Sequence, residues 1–273
     1  MTAADAAKCL AVLGDPIDHS RSPAMHDAAL RVLGLPHRYL AFRVREEGLA
    51  AALLGARAMG FLGLNLTVPH KQAALRFVDA RSPEAERIGA INTVRFTDFG
   101  LVGHNTDAAG FAHGLAELRP ERVRRAVVLG GGGAARAAVD ALLHGRDAPA
   151  IAWVSRDPTR LPAWGVEAGS WEALHLRDAD LLVNATTVGM RHGPSNFPAA
   201  LPLTELAPDA CVIDLVYPRP AGGLLDDAAT LGLRVQDGLP MLLWQGVAAL
   251  ELWLERRLPA EAIEAMRAAL RDD

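Results

Sequence analysis

Residues 126–143 constrain the fold more than any other stretch of the chain. Ala126 to Leu129 (AVVL) is an apolar, β-branched run that passes without a spacer into GGGGAARAAVDALL, so a strand is delivered straight into a glycine turn and then a helix. Gly130, Gly132 and Ala135 stand at G-x-G-x-x-A spacing. Glycines there let the backbone turn tightly and approach a pyrophosphate, whose charge meets the free N–H groups and positive dipole end of a helix expected over Ala134 to Leu143. The next strand, Ala150 to Val154, comes where an α/β fold with a parallel sheet needs it. It ends at Ser155 and Arg156, where NAD-binding chains carry an acidic side chain for the ribose 2′-hydroxyl about twenty residues past the glycines. A guanidinium at Arg156, with Arg160 as a second positive contact, suits a 2′-phosphate and favours NADP. Asp157 could instead accept from an unphosphorylated ribose.

The strand and helix pattern extends in both directions. Downstream, Leu181 to Val183 read as a strand running into NATTVGM, and Cys211 to Val216 as another ending near Tyr217 and Pro218. A helix over Gly223 to Leu231 and a strand over Leu233 to Val235 follow, and ligands gather at such carboxyl ends of strands. Upstream, Leu10 to Leu13, Arg38 to Val44 and Phe61 to Val68 read as strands. They are separated by helices from Ser22 and Pro23 to Gly34 and from Glu46 to Met59, an alternation that favours a mostly parallel sheet. A helix over Lys71 to Val78, a short one from Ser82 and Pro83 to Gly89, and a hairpin turning at Asp98 to Gly100 come next. From Gly238 onward two helices are expected.

With 273 residues, 51% hydrophobic and 22% charged, the chain has material for two packed domains. A net charge of -4, a pI near 6.1 and no run of lysine and arginine leave no footprint for nucleic acid or an anionic membrane. The stretch MTAADAAKCLAVLG has no basic segment leading into a long apolar core, and nowhere do about eighteen apolar residues run uninterrupted, so a cytoplasmic protein is expected. Cys9 and Cys211 match no metal spacing and fall in apolar runs, as buried reduced thiols do. The nine histidines show no ligand spacing either, which argues against metal activation.

A dinucleotide site implies hydride transfer, and oxidising an alcohol also needs a group that takes the hydroxyl proton. Neither Tyr39 nor Tyr217 has a lysine four residues later, so the tyrosine and lysine pair of short-chain dehydrogenases is absent. Lys71 remains. It ends GLNLTVPHK, and with a helix starting at Pro69 it sits in a first turn, where the dipole opposes a cation. It is either a solvated surface lysine at a small penalty or an ammonium kept for chemistry. Asp107 opens DAAGFAHGLAEL and on local grounds reads first as an N-cap, second as a carboxylate that orients Lys71. Ser22 reads as the N-cap before Pro23, and Ser20 adds a second hydroxyl at the same helix start, a pair suited to a carboxylate or phosphate. Gln245, among Met241, Leu242, Leu243, Trp244 and Val247, needs either a ligand or a neighbouring backbone group as partner.

GDPIDHSRSPAMH, NLTVPHK, GAINTV, GHNTD, VLGGGGAARA, NAT with VGM, and GLPMLLWQG, in that order, together resemble the shikimate dehydrogenase family over almost the whole chain. The resemblance implies a two-domain α/β fold. An N-terminal substrate-binding catalytic domain of residues 1–107 has a mostly parallel sheet and is rejoined by C-terminal helices of residues 238–273; residues 108–237 form a Rossmann-like NADP-binding domain. It implies reversible NADPH reduction of 3-dehydroshikimate to shikimate, a step of chorismate and aromatic amino acid biosynthesis. Oligomeric state is left open, a homodimer included.

By position, the resemblance gives the substrate carboxylate to Ser20 and Ser22, and the ring hydroxyls to Asn65, Thr67, Asn92, Asp107 and Gln245, with Tyr217 nearby. Lys71 and Asp107 are the implied catalytic pair. The implied cofactor set is Gly130, Gly131, Gly132, Gly133, Ala134, Ser155, Arg156, Arg160, Thr186, Val188, Met190, Leu215, Gly238 and Met241. Gly131 departs from the family's usual Ala, Asp157 stands where Thr is frequent, and Gly222 lies near a position often held by Thr. Quinate as substrate or NAD as cofactor stays open within the same superfamily. A non-catalytic dinucleotide-binding sensor is the alternative of another class, and it has no use for Lys71 and Asp107.

Overall fold

Strands and helices alternate along the chain in the computed structural model, which describes residues 6–118, 120, 122–191, 193–218 and 222–271. The chain divides into two units, Met1–Gly110 with Leu242–Asp273, and Phe111–Met241. The first unit opens with β1 (Cys9–Gly14), α1 (Ser22–Val32), β2 (Arg38–Arg43), α2 (Leu49–Ala58) and β3 (Gly63–Leu66). It continues with α3 (His70–Ala73), β4 (Ala80–Arg81), α4 (Pro83–Ile88), β5 (Thr93–Thr97) and β6 (Gly100–His104). The sheet order is β2-β1-β3-β5-β6-β4. β1 pairs in parallel with β2 and β3, and β4 with β6, whereas β3 with β5 and the hairpin β5 with β6 are antiparallel.

Alternation along the strands builds the core of this unit. Ala11, Leu13, Leu64, Leu66 and Val94 share one cluster with Leu49, Leu53 and Ala56 of α2. Two segments depart from the sequence pattern. The expected strand over Phe61 to Val68 is confined to Gly63–Leu66, and the expected helix to Val78 is one α-turn followed by a 3₁₀ turn at Ala74–Arg76. The sheet edge explains the second difference: Asp79 N–H donates to Leu101 O at 2.9 Å and Ser82 N–H to Gly103 O at 2.8 Å, so residues 79–82 are drawn out beside β6 as β4. α4 follows expectation, with Ser82 Oγ accepting from Ala85 N–H at 3.2 Å and Gly89 closing the helix at φ 67°.

α5 (Asp107–Leu118) carries the chain into the second unit. There follow β7 (Arg125–Leu129), α6 (Gly133–Leu143), β8 (Ala150–Val154), β9 (Glu167–Gly169), β10 (Leu181–Asn184), β11 (Cys211–Asp214), α7 (Leu224–Thr230) and β12 (Arg234–Gln236). The sheet order is β12-β11-β10-β7-β8-β9, all parallel. Taken from β7 outward, this is the doubly wound order of dinucleotide-binding sheets. Val127, Leu129, Leu182 and Val212 pack on one face, and Ala126, Val128, Leu181, Ile213 and Trp153 on the other. Cys211 is buried with the second group, while Cys9 is only half-buried.

α8 (Leu239–Leu254) and α9 (Ala260–Ala269) end the chain, and both supply residues to the first unit. A Cβ at Gly63 would run into the Trp253 indole of α8, whose Nε1–H donates to Val94 O at 3.0 Å. Arg21 donates to Leu270 O at 2.6 Å beyond α9. Among the described residues, no helix is long and apolar enough to cross a membrane.

Candidate active site

Three chain segments meet at one end of the first sheet. β3 is antiparallel to β5, and β5 to β6, so the carboxyl end of β3, the start of β5 and the end of β6 are neighbours, with Asn65 opposite Thr93 and Thr93 opposite His104. Leu64 and Leu66 enter the core, which turns Asn65 to the other face, where it is 5% exposed. Asn65 Nδ2 donates to Asn92 O at 3.0 Å and to Thr93 Oγ1 at 2.9 Å, and Oδ1 accepts from Tyr39 OH at 2.7 Å. Both amide hydrogens are therefore spent inside the protein, and only an acceptor position is left for a ligand.

Past β3, His70 holds the turn that carries Lys71. Its N–H donates to Thr67 O and its ring Nε2 pairs with Val44 O, each at 2.8 Å. Lys71 Nζ then donates to Asp107 Oδ2 at 2.6 Å, across 36 residues of sequence, with side chains 17% and 4% exposed. The other carboxylate oxygen, Oδ1, accepts from Asn92 Nδ2 at 2.8 Å. With a different donor on each oxygen, Asp107 is fixed in orientation, and it also lies in the first turn of α5, where the helix dipole favours an anion. An ammonium has three N–H groups, and Lys71 keeps donors for an oxygen placed beside it.

The capping expectations for Asp107 and Ser22 do not hold. Asn105 caps α5: its Oδ1 accepts from Asp107 N–H at 3.0 Å and Ala108 N–H at 3.4 Å, which releases the Asp107 carboxylate for Lys71. Arg21 occupies the cap position of α1 with no side-chain cap bond, and Ser20 Oγ accepts from Ser22 N–H at 3.3 Å. In both places the residue two positions earlier takes the local bond. Gln245 finds its partners within the protein, donating to Leu242 O at 2.7 Å and accepting from Asn92 Nδ2 at 3.4 Å. Ser20 lies in the loop between β1 and α1, Ser22 at the start of α1 and Thr67 just past β3, outside the hydrogen bonds that join Lys71, Asp107, Asn92, Asn65 and Gln245. Tyr217 belongs to the second unit, past β11. Thr93 and Thr106 take part in the network from within GAINTV and GHNTD, motifs that imply no role for them, and Tyr39 takes part without any motif to mark it.

The glycine turn of the second unit fits a dinucleotide by three observations. Gly130 has φ 117° and a Cβ there would lie 2.7 Å from Ala185 O, so only glycine brings the backbone through. α6 starts at Gly133, one residue earlier than expected, and its cap Gly132 makes no side-chain bond, which leaves the helix start to a ligand's phosphates. Ser155 Oγ, beside Gly131, is buried without a hydrogen-bond partner. Arg156 and Arg160 are exposed on the loop after β8. Asp157 is occupied there: its Oδ1 accepts from Thr159 N–H at 3.2 Å and Thr159 Oγ1 at 2.6 Å.

At the carboxyl ends of β10 and β11, Asn184 Nδ2 donates to Asp214 Oδ1 at 2.8 Å, and Asn184 Oδ1 accepts from Thr186 N–H and Oγ1. Thr186 Oγ1 accepts from Val188 N–H at 3.1 Å, which orders the loop through Met190. Leu215 N–H donates to Asn184 O, and a Cβ at Gly238 would lie 2.5 Å from Leu215 O. Met241 is buried in the same cluster as Phe111. Asn184 opens the NAT motif, whereas Asp214 shows in the sequence only as a polar residue ending an apolar strand.

Residues 12–94 match the shikimate dehydrogenase substrate binding domain, and residues 238–271 the shikimate 5′-dehydrogenase C-terminal domain. The shikimate dehydrogenase (NADP(+)) of Methanopyrus kandleri is 41% identical over 92% of this chain and 92% of its own length. Shikimate 5-dehydrogenase of Thermus thermophilus, crystallised with NADP(H) and shikimate, superposes with a TM-score of 0.83 at 42% identity, covering 96% of this chain and 99% of that one. The ligand-free 5-ketofructose reductase of a Gluconobacter species has a TM-score of 0.77 at 33% identity, with 96% and 99% covered. With a network of this kind at the end of β3 and relatives of this identity over nearly its full length, the chain belongs to the shikimate dehydrogenase family.

Proposed function

We infer that the chain is an oxidoreductase that reversibly reduces 3-dehydroshikimate to shikimate with NADPH, in chorismate and aromatic amino acid biosynthesis. The observation that carries this reading is the Lys71 and Asp107 pair at 2.6 Å, its carboxylate anchored by Asn92. When bound, NADPH supplies the hydride. In the reducing direction Lys71 gives a proton to the carbonyl oxygen as it becomes a hydroxyl; in the oxidising direction it takes that proton back. Asp107 holds the ammonium on the reacting oxygen and accepts from a ring hydroxyl. Asn65 also accepts a hydroxyl, through its one open acceptor position.

Ser20, Ser22 and the start of α1 hold the substrate carboxylate, and Thr67, Asn92, Gln245 and Tyr217 complete the set for the ring hydroxyls. Gly130 to Gly133 and Ala134 cradle the pyrophosphate; Ser155, Arg156 and Arg160 take the 2′-phosphate end. Thr186, Val188, Met190, Leu215, Gly238 and Met241 form the wall for the nicotinamide end. Residence in the cytoplasm and assembly as a homodimer belong to the same reading, and sedimentation of the purified chain tests the second.

Steady-state rates on shikimate, quinate and 5-ketofructose, each with the NADP and the NAD couple, test the activity. The reading requires shikimate with NADP to give the highest kcat/KM. A higher value for either other substrate overturns the substrate, and a higher value with NAD overturns the cofactor.

A further inference from the structure

Asp107 is reached from its Asn92 side by a file of hydrogen bonds that all donate in one sense. Tyr39 OH donates to Asn65 Oδ1 at 2.7 Å, Asn65 Nδ2 to Thr93 Oγ1 at 2.9 Å, Thr93 Oγ1 to Asn92 Oδ1 at 3.0 Å, and Asn92 Nδ2 to Asp107 Oδ1 at 2.8 Å. Two backbone groups that cannot exchange roles set this direction. Asn92 O can only accept, so it turns Asn65 Nδ2 inward and leaves Oδ1 for Tyr39. Thr106 N–H can only donate, and at 2.7 Å from Asn92 Oδ1 it turns Asn92 Nδ2 toward the carboxylate.

Every member of the file is 5% exposed or less. In such surroundings each bond polarises the next, by about 10–30% per bond, and the accumulated effect falls on the terminal acceptor. The far end is held rigidly. The Tyr39 ring stacks on His26 with centroids 4.0 Å apart and planes 9° apart, and the Trp253 ring lies 6.4 Å from it, tilted by 45°. Tyr39 N–H donates to Asp27 Oδ1 at 2.9 Å.

We propose that Tyr39 is a positioning residue that acts through Asn65, Thr93 and Asn92 on the Lys71 and Asp107 pair, holding Oδ1 so that Oδ2 stays on Lys71. This rests on the catalytic reading of that pair given above. The test uses four variants of the full chain, Tyr39→Phe, Thr93→Val, Thr93→Ser and the double Tyr39→Phe/Thr93→Val, with kcat and KM for shikimate, NADPH affinity and Tm measured on each. Tyr39→Phe and Thr93→Val each lower kcat by about three- to tenfold, the value of one buried hydrogen bond, with a smaller change in KM.

The double variant loses less than the product of the two single losses, because Thr93→Val already removes one of the two bonds from Asn65, to Thr93 Oγ1 and to Asn92 O, by which Tyr39 reaches Asp107. Thr93→Ser, which keeps the hydroxyl, retains kcat, and NADPH affinity is unchanged throughout. A wild-type kcat in Tyr39→Phe overturns the proposal. So does a double variant whose loss is the product of the two single losses, or a Thr93→Ser variant as slow as Thr93→Val. A wild-type chain with no turnover on shikimate would instead overturn the functional reading beneath it.

Discussion

The two units meet their ligands with different materials. The first presents side chains: an ammonium from α3, a carboxylate from α5 and three amides from β3, the residue before β5 and α8 converge on a few buried positions. The second presents backbone, with a glycine turn ahead of α6 in which Gly130 has no room for a Cβ. The difference teaches where each unit is vulnerable. Removing atoms should injure the first and adding atoms should injure the second.

The strongest test of that contrast is Lys71→Ala. Deleting the ammonium lowers kcat by about 10²- to 10⁴-fold, the usual contribution of a positioned proton donor, while NADPH affinity, which the proposed function assigns to residues of the second unit, is retained. Rapid-mixing measurement of turnover beside a fluorescence titration of NADPH separates the two. Near-normal turnover would remove Lys71 from the chemistry, and lost NADPH binding would break the division of labour.

Acid should also tell the units apart. His26 is fully buried in the first unit, and desolvation lowers its pKa from 6.5 to about 4, against hydrogen bonds at Ser22 and Gly246 that favour the charged form. Above pH 6.5 both native and unfolded chains carry a neutral ring, so this residue contributes no slope. Between 6.5 and 4 the unfolded chain binds a proton the native one refuses, and stability falls as pH falls. At about 1.4 kcal/mol per pH unit the full loss is about 3 kcal/mol, complete below pH 4. Urea unfolding of wild type and His26→Gln at pH 7 and pH 4.5 measures the difference. Hydrogen exchange locates it: protection in β1 and β3 should fall before protection in β7 and β10. An equal acid response in the two proteins would acquit His26.

How far the sequence discloses all this depends on whether the decisive force is local. The turn at Gly130 to Gly133 is legible because its cause, the exclusion of a Cβ, lies within a few residues of itself. The parallel second sheet follows from it. The caps are misread for the opposite reason. Asp107 is as good a cap as Asn105 by local chemistry, and what decides between them is a lysine 36 residues away that only the tertiary fold brings near. β4 and β9, of two and three residues, are too short to show a period of two. In the sequence Tyr39 is one residue of the strand expected over Arg38 to Val44, and nothing in its neighbours announces Asn65. The resemblance placed Lys71, Asp107, Asn65, Asn92 and Gln245 in one set; the bonds that join them became visible only in the folded chain.

Gly130→Ala carries the second half of the contrast. The added methyl meets Ala185 O at 2.7 Å on a backbone with φ 117°, which costs about 1–3 kcal/mol of strain. NADPH affinity should fall by about tenfold or more, with kcat at saturating cofactor little changed. Gly132→Ala, with no protein atom within 4 Å of the new methyl, leaves the turn unstrained and weakens NADPH through the methyl's approach to the pyrophosphate alone. If both variants bind NADPH as the wild type does, the glycine turn is not the cradle.

The smallest expected effect decides the cofactor question that Asp157 raises. Its carboxylate is already taken by Thr159 N–H and Oγ1, so it closes the 3₁₀ turn Pro158–Arg160 that carries Arg160. A lost cap of this kind costs about 1 kcal/mol. Asp157→Ala therefore loosens the loop and weakens NADPH by less than about fivefold, and NADH by a similar factor, leaving their ratio unchanged. A carboxylate that instead held a ribose 2′-hydroxyl would behave otherwise: its removal would weaken NADH alone and strengthen NADPH by relieving repulsion of the 2′-phosphate. Isothermal titration with both nucleotides distinguishes a turn-closing aspartate from a ribose-reading one. Only the second outcome would place a carboxylate, rather than the arginines, in charge of cofactor choice in this unit.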